Sequence, residues 1–122
     1  MIAWLAMSVA FAEPPTSARA RYQYLVAVWE RAHGHDAAAA VAARTALLHA
    51  PSAAAPRVLL AELQEGEPGT LLERLRLLEA AVTDPAANAH AYTALGRARA
   101  ANGDIEGAVA AFREAEIRGV IP

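Results

Sequence analysis

Apolar and small side chains recur at helical spacing along most of this chain, and residues 91–115 show the pattern most clearly. The stretch AYTALGRARAANGDIEGAVAAFREA contains two amphipathic patterns separated by a polar turn. Their packing positions are Tyr92, Leu95, Gly96 and Arg99 in the first half, and Ala108, Phe112 and Ala115 in the second. Gly103 is placed to end the first helix, and Asp104 to cap the next. The stretch therefore predicts an antiparallel helix pair that the small residues Gly96 and Ala108 allow to pack closely.

The same pattern recurs with a period of 34 or 35 residues, which is typical of helical repeats. The aligned positions are Tyr22, Arg57 and Tyr92; Leu25, Leu60 and Leu95; Val26, Ala61 and Gly96; Ala43, Leu77 and Phe112; and Ala46, Ala80 and Ala115. Pro51 and Pro85 close the first two units. We therefore expect an all-α fold of three helix pairs, at about residues 18–52, 53–87 and 88–122.

Local signals refine these pairs. Ser52, Thr70 and Asp84 each precede a helical pattern and are predicted to cap it. In the first unit, the inward face is predicted to contain Tyr22, Leu25, Val26 and Trp29. We expect Trp29 to fill the space that the small Ala43 leaves.

The third unit resembles the tetratricopeptide repeat, whose order of residues is aromatic, Leu-Gly, Gly-Asp, Ala, aromatic and Ala. Tyr92, Leu95-Gly96, Gly103-Asp104, Ala108, Phe112 and Ala115 supply that order. The resemblance extends over residues 18–122 and is most specific in the third unit. It implies an α-solenoid of about three antiparallel helix hairpins, forming a superhelix. The closest rival is another α-solenoid or a plain helical bundle, which would use the same apolar stripes.

The resemblance also implies a concave face lined by the first helix of each pair, where a peptide or protein subunit would bind. Carried over position by position, that face contains Gln23, Ala27, Glu30, Val58, Glu62, Glu65, His90, Thr93 and Arg97. Since Glu62 and Glu65 lie at its middle, we expect an acidic, exposed groove for a basic or amphipathic segment. The alternative is that both are simply a solvated helix face.

Residues 1–12, MIAWLAMSVAFA, form an uncharged apolar run with a small-x-small ending. They fit a signal peptide, although no Lys or Arg precedes the run, or a short N-terminal helix that packs on the first pair. Residues 13–17 would be a linker. The run is too short for a membrane span, which needs about 20 residues. A signal peptide would make the protein periplasmic or secreted, and its absence would make it cytoplasmic.

Composition narrows the choice of function. The 122 residues suit one domain, and the net charge of −2, with the 11 basic residues all arginine, shows no nucleic-acid footprint. The chain has no cysteine. His33, His35, His49 and His90 lack the spacing of a metal site, and the serines lie in the leader or at helix starts. We therefore expect no cofactor, no metal and no catalysis.

The sequence thus favours a noncatalytic scaffold that binds a partner protein or peptide in its groove. The alternative is a structural subunit that forms homo-oligomers through the uncovered ends of the array, because exposed apolar surface at a terminal repeat tends to find a partner. The hypothesis with the least support is a small enzyme that uses the histidines.

Overall fold

The computed structural model describes residues 17–119, which form six helices and no strand. The helices are α1 (Ala18–Ala32), α2 (Asp36–His49), α3 (Ala54–Leu63), α4 (Leu71–Ala81), α5 (Ala89–Ala101) and α6 (Ile105–Gly119). The predicted all-α class is confirmed. The predictions for residues 1–12, and for the linker up to Thr16, lie outside the described residues.

The helices pack as consecutive hairpins. The pairs α1/α2, α3/α4 and α5/α6 each pack together, and α2/α3 and α4/α5 join one pair to the next. The first helices also contact one another, α1 with α3 and α3 with α5, so they lie side by side along one face. This is the solenoid-like arrangement that the period predicts.

The first and third hairpins turn in the same way. Gly34 and Gly103 both have positive φ, 77° and 81°. In each turn the glycine N–H donates to a carbonyl three residues back at 3.0 Å, and the next N–H donates to a carbonyl five residues back at 2.9 Å. This pair of hydrogen bonds defines the Schellman motif, which favours glycine at the left-handed position. Gly103 therefore ends α5 as predicted, and the Asp104 carboxylate accepts from the Gly107 N–H at 2.9 Å and caps α6.

The core consists mainly of alanine. Of the 23 buried alanine, valine and leucine residues in the described part of the chain, 18 are alanines, and the largest fully buried side chain is Leu95. One cluster joins α3, α4, α5 and α6 around Leu95, and another joins α1, α2 and α3 around Leu59 and Leu60. Methyl side chains allow the helix backbones to approach closely, as the small residues at Gly96 and Ala108 predict.

Most of the predicted packing positions lie in or beside this core. Leu60, Ala61, Leu95, Gly96, Ala108 and Ala115 are buried, and Leu77 and Tyr92 are partly buried. The Phe112 ring lies on Gly96, where an added Cβ would come within 2.6 Å of the ring. However, Phe112 is 40% exposed, so it anchors the third hairpin from the edge of the core.

The predicted inward face of α1 is wrong for its three large residues. Tyr22, Leu25 and Trp29 are 65%, 64% and 55% exposed. In the second and third pairs, the aligned Leu60 and Leu95 lie in the clusters that join their helix to the preceding one. In the described part of the chain no helix precedes α1, so nothing there covers this face. Trp29 does not fill the space beside Ala43; it stacks on the His33 ring with centroids 4.0 Å apart.

Three predicted caps are also wrong. Ser52 is exposed, and α3 begins after Ala53 without a side-chain cap of its own. Asp84 does not cap α5, which begins later and is capped by Asn88 through a bond from the Ala91 N–H at 3.1 Å. The Thr70 hydroxyl donates to the carbonyls of Gln64 and Glu67, so it holds the preceding turn rather than the start of α4.

The Asp84 side chain instead caps α3. Its Oδ2 accepts from the Ala54 N–H at 2.9 Å, across 30 residues of sequence, and its Oδ1 accepts from the Ala86 N–H at 2.9 Å. The side chain of Asp84 thus caps α3 from the connection between α4 and α5. It is the one buried charged residue in residues 17–119.

Candidate functional site

The first helices of the three pairs form a concave groove with a volume of about 380 Å³. Its wall is mostly apolar, with polar side chains from or beside each of the three helices. The lining residues are Tyr24, Val28 and Arg31 of α1; Ala53, Ala54, Ala55, Val58, Leu59 and Glu62 at and within α3; and Asp84, Ala86, Asn88, His90 and Ala91 at and within α5. A cavity of this size lies at the lower end of the range for binding pockets. It has room for one or two amino-acid side chains.

The predicted concave residues divide between two places. Val58, Glu62 and His90 line the groove. Glu62 also lines a second, smaller cavity of about 120 Å³ between α3, α4 and α5, together with Glu65 and Arg97. This second cavity also includes Ala61, Arg74, Leu78, Ala94, Ala98 and Ala101.

The other four predicted concave residues line neither cavity. Gln23 is half-buried, and Ala27 is fully buried in the cluster between α1 and α3. Oε2 of Glu30 lies 3.0 Å from Nδ1 of His35, at the turn between α1 and α2. The Thr93 hydroxyl donates to the Ala89 carbonyl within α5 at 2.9 Å.

Several residues that line the groove were not predicted from the sequence. Tyr24, Val28 and Arg31 recur at spacings of four and three, so they share one face of α1. That spacing could have identified them. Asn88 and Asp84 lie outside the helices, in a connection whose path the repeat period does not specify.

Glu62 is the electrostatic centre of the groove. Its side chain is only 13% exposed; Oε1 lies 3.0 Å from Nη1 of Arg31, and Oε2 lies 2.8 Å from Nε2 of His90. These three residues belong to α3, α1 and α5, so one carboxylate joins all three first helices. The prediction of an exposed Glu62 is therefore wrong: the groove encloses it, and each carboxylate oxygen has a nitrogen partner.

The acidic character predicted for the groove is also offset. Glu65 is exposed, and its Oε2 lies 3.6 Å from Nη2 of Arg97. Glu62 is paired with Arg31, as described above. Each glutamate at the middle of the predicted concave face thus has an arginine within salt-bridge distance. The exposed pair of Glu65 with Arg97 contributes at most about 1 kcal/mol to stability. The two arginines offset the local negative charge of the two glutamates.

Tyr24 supplies the aromatic wall of the groove. Burial raises the pKa of its hydroxyl above the usual value, the nearby Glu62 carboxylate adds to this, and Arg31 partly offsets it. The phenol therefore stays protonated at neutral pH and can donate or accept a hydrogen bond. The wall combines a neutral hydroxyl with apolar carbon surface.

No family model matches this chain, and no curated protein matches it significantly. Within residues 17–119, no three His, Asp or Glu side chains lie close enough together to hold a metal ion. The same residues contain no helix long and apolar enough to cross a membrane.

Proposed function

We propose that this protein is a noncatalytic interaction module of the tetratricopeptide type, whose groove binds a segment of a partner protein. The observation that carries the proposal is the groove itself, which crosses three aligned first helices and has a mostly apolar wall with a few polar side chains. A partner segment lying across these helices would bury apolar side chains against Val58, Leu59 and Ala91. This matches the general design of solenoid proteins, which bind partners along a concave face.

The tetratricopeptide part of the proposal has its own support. The Phe112 ring packs on Gly96, so two positions of the family pattern contact each other across the third hairpin. The first and third hairpins turn through the same motif at Gly34 and Gly103, which are 69 residues apart, close to two periods. Equivalent turns at equivalent positions favour a true repeat over a plain bundle.

The partner segment is amphipathic rather than strongly basic. Because Arg31 and His90 already hold the Glu62 carboxylate, a Lys or Arg of the partner would have to displace them. An apolar side chain needs no such exchange, since it can pack on the apolar lining residues. The polar flanks of the segment can form hydrogen bonds with the Tyr24 hydroxyl and the Asn88 side chain, which also line the groove.

A peptide selection tests this function. Peptides of random sequence would be selected for binding to the purified full-length chain, and their affinities measured for two variants. Val28→Arg places a long charged side chain in the groove from a partly exposed position, so it should weaken binding at least about tenfold, equivalent to about 1.4 kcal/mol. Val41→Arg is the matched control, because Val41 is an exposed valine of α2 that does not line the groove.

Two results would contradict the proposal. One is equal binding of the selected peptides by Val28→Arg and Val41→Arg, which would place their site elsewhere. The other is a set of selected peptides that carries basic residues without apolar anchors. That result would support the acidic groove expected from the sequence instead. Circular dichroism of both variants would show that neither had unfolded.

A further inference from the structure

The exposed apolar face of α1 is half of an interface that recurs inside the chain. We call Tyr22, Leu25 and Trp29 the head face. Leu60 and Leu95, which align with Leu25, are 5% and 1% exposed. Leu60 belongs to the cluster of α1, α2 and α3, and Leu95 to the cluster that includes α4 and α5. The head face is therefore the surface that the second helix of a preceding pair covers elsewhere in this chain.

The other half of that interface is exposed on α6, the second helix of the last pair. We call Ile105, Val109 and Phe112 the tail face; they are 61%, 41% and 40% exposed. Val109 and Phe112 align with Ala40 and Ala43 of α2, which belong to the cluster that includes Leu59 and Leu60 of α3. At Val109 and Phe112 the tail face is therefore the surface that the first helix of a following pair covers, and Ile105 extends it toward the start of α6.

We propose that copies of this chain associate head to tail, with α6 of one copy packed on α1 of the next. The contact would repeat the packing of α2 on α3 within the chain, in continuity with that internal interface. Because it joins two different surfaces, each added copy leaves one head face and one tail face free, and the assembly grows beyond a dimer into an open filament or a closed ring. This inference does not depend on the groove, because neither face includes a groove residue.

Charge favours a second copy as the occupant of both faces. Leaving aside Arg31, which is paired with Glu62, α1 carries two arginines and one glutamate, whereas α6 carries three glutamates and two arginines. The two helices are therefore of opposite net charge. Opposite charge at the edge of an apolar contact assists association and specifies orientation.

Sedimentation velocity of the full-length chain at increasing concentration tests the proposal. We expect the mean mass to increase with concentration and to pass beyond that of a dimer. Leu25→Glu should block the head face and Val109→Glu the tail face, so each variant alone should be monomeric. A mixture of the two retains one intact head and one intact tail, and should give a dimer that grows no further.

Leu72→Glu is the matched control. Leu72 is 63% exposed, nearly the same as Leu25, but it lies on α4 in the middle pair. This variant should assemble like the original chain. Circular dichroism would show whether all three variants retain their helices, which their exposed positions favour.

Several results would overturn the proposal. A full-length chain that is monomeric at all concentrations would do so, and if removal of residues 1–12 then caused assembly, that segment would be the occupant of the head face. A closed dimer formed by either variant alone would indicate a two-fold contact of like surfaces. A mixture of Leu25→Glu and Val109→Glu that stayed monomeric would show that the head and tail faces do not bind each other.

Discussion

At the scale of single residues, the contact between Gly96 and Phe112 determines how close α5 and α6 lie. An added Cβ at Gly96 would come within 2.6 to 2.8 Å of three ring atoms, closer than carbon atoms can pack. Because Phe112 is partly exposed, its ring can move toward solvent to relieve the overlap. We therefore expect Gly96→Ala to destabilise the fold by about 1 kcal/mol, at the low end of the overpacking range.

The sign should reverse when the ring is removed. In a Phe112→Ala background the space at Gly96 is open, and alanine is favoured over glycine inside a helix by up to about 1 kcal/mol. Gly96→Ala should then stabilise the chain. Urea unfolding of the two single variants and the double variant measures this coupling directly. If Gly96→Ala had the same effect in both backgrounds, the ring and the glycine would not be in contact.

Tyr24 should make stability depend on alkaline pH. The folded chain holds the Tyr24 proton more tightly than the unfolded chain, because burial raises the pKa of its hydroxyl. The unfolded chain therefore loses this proton first as the pH rises through the usual value of about 10, and folding becomes less favourable. Tyr24→Phe removes this loss. We expect the free energy of unfolding of the variant to rise relative to that of the original chain only above about pH 10, in unfolding experiments between about pH 8 and pH 11. A constant difference would mean that Tyr24 does not titrate differently in the folded and unfolded states.

At the scale of elements, the start of α3 depends on a residue 30 positions away in the sequence. Asp84→Ala would leave the buried Ala54 N–H without its acceptor, so we expect a loss of about 1 to 3 kcal/mol. Ser52→Ala, at the position that the sequence favours as the cap, should have almost no effect because Ser52 is exposed. Asp84→Asn keeps one carbonyl oxygen and should have an intermediate effect. Urea unfolding compares the three, and equal losses for Asp84→Ala and Ser52→Ala would show that Asp84 does not cap α3.

The sequence predicts the elements better than their ends. The helical pattern and the period locate all six helices, because apolar spacing reflects burial on one face. Gly103 and Asp104 act locally and were correctly predicted. Ser52, Thr70 and Asp84 were not, because several acceptors compete for each helix start and the successful one can come from another element.

At the scale of the whole molecule, a period predicts which positions are equivalent but not what surrounds each copy. Leu25, Leu60 and Leu95 occupy one column, yet Leu25 is exposed because the described chain offers it no preceding helix. The groove shows the same limit. Val58, Glu62 and His90 could be placed on the concave side, but the pairing of Glu62 with Arg31 and His90 depends on how far apart three separate helices lie.

The alanine core also affects how stability varies with temperature. Alanine loses no side-chain rotamer freedom on burial, so a core of methyl groups needs less hydrophobic gain to offset the entropy of folding. The same methyl groups expose little apolar area when the chain unfolds, and apolar exposure is what raises the heat capacity. The heat-capacity change should therefore lie below the usual value of about 12 to 15 cal/mol/K per residue. A small heat-capacity change flattens the stability curve, so a protein built in this way loses stability only gradually on cooling as well as on warming.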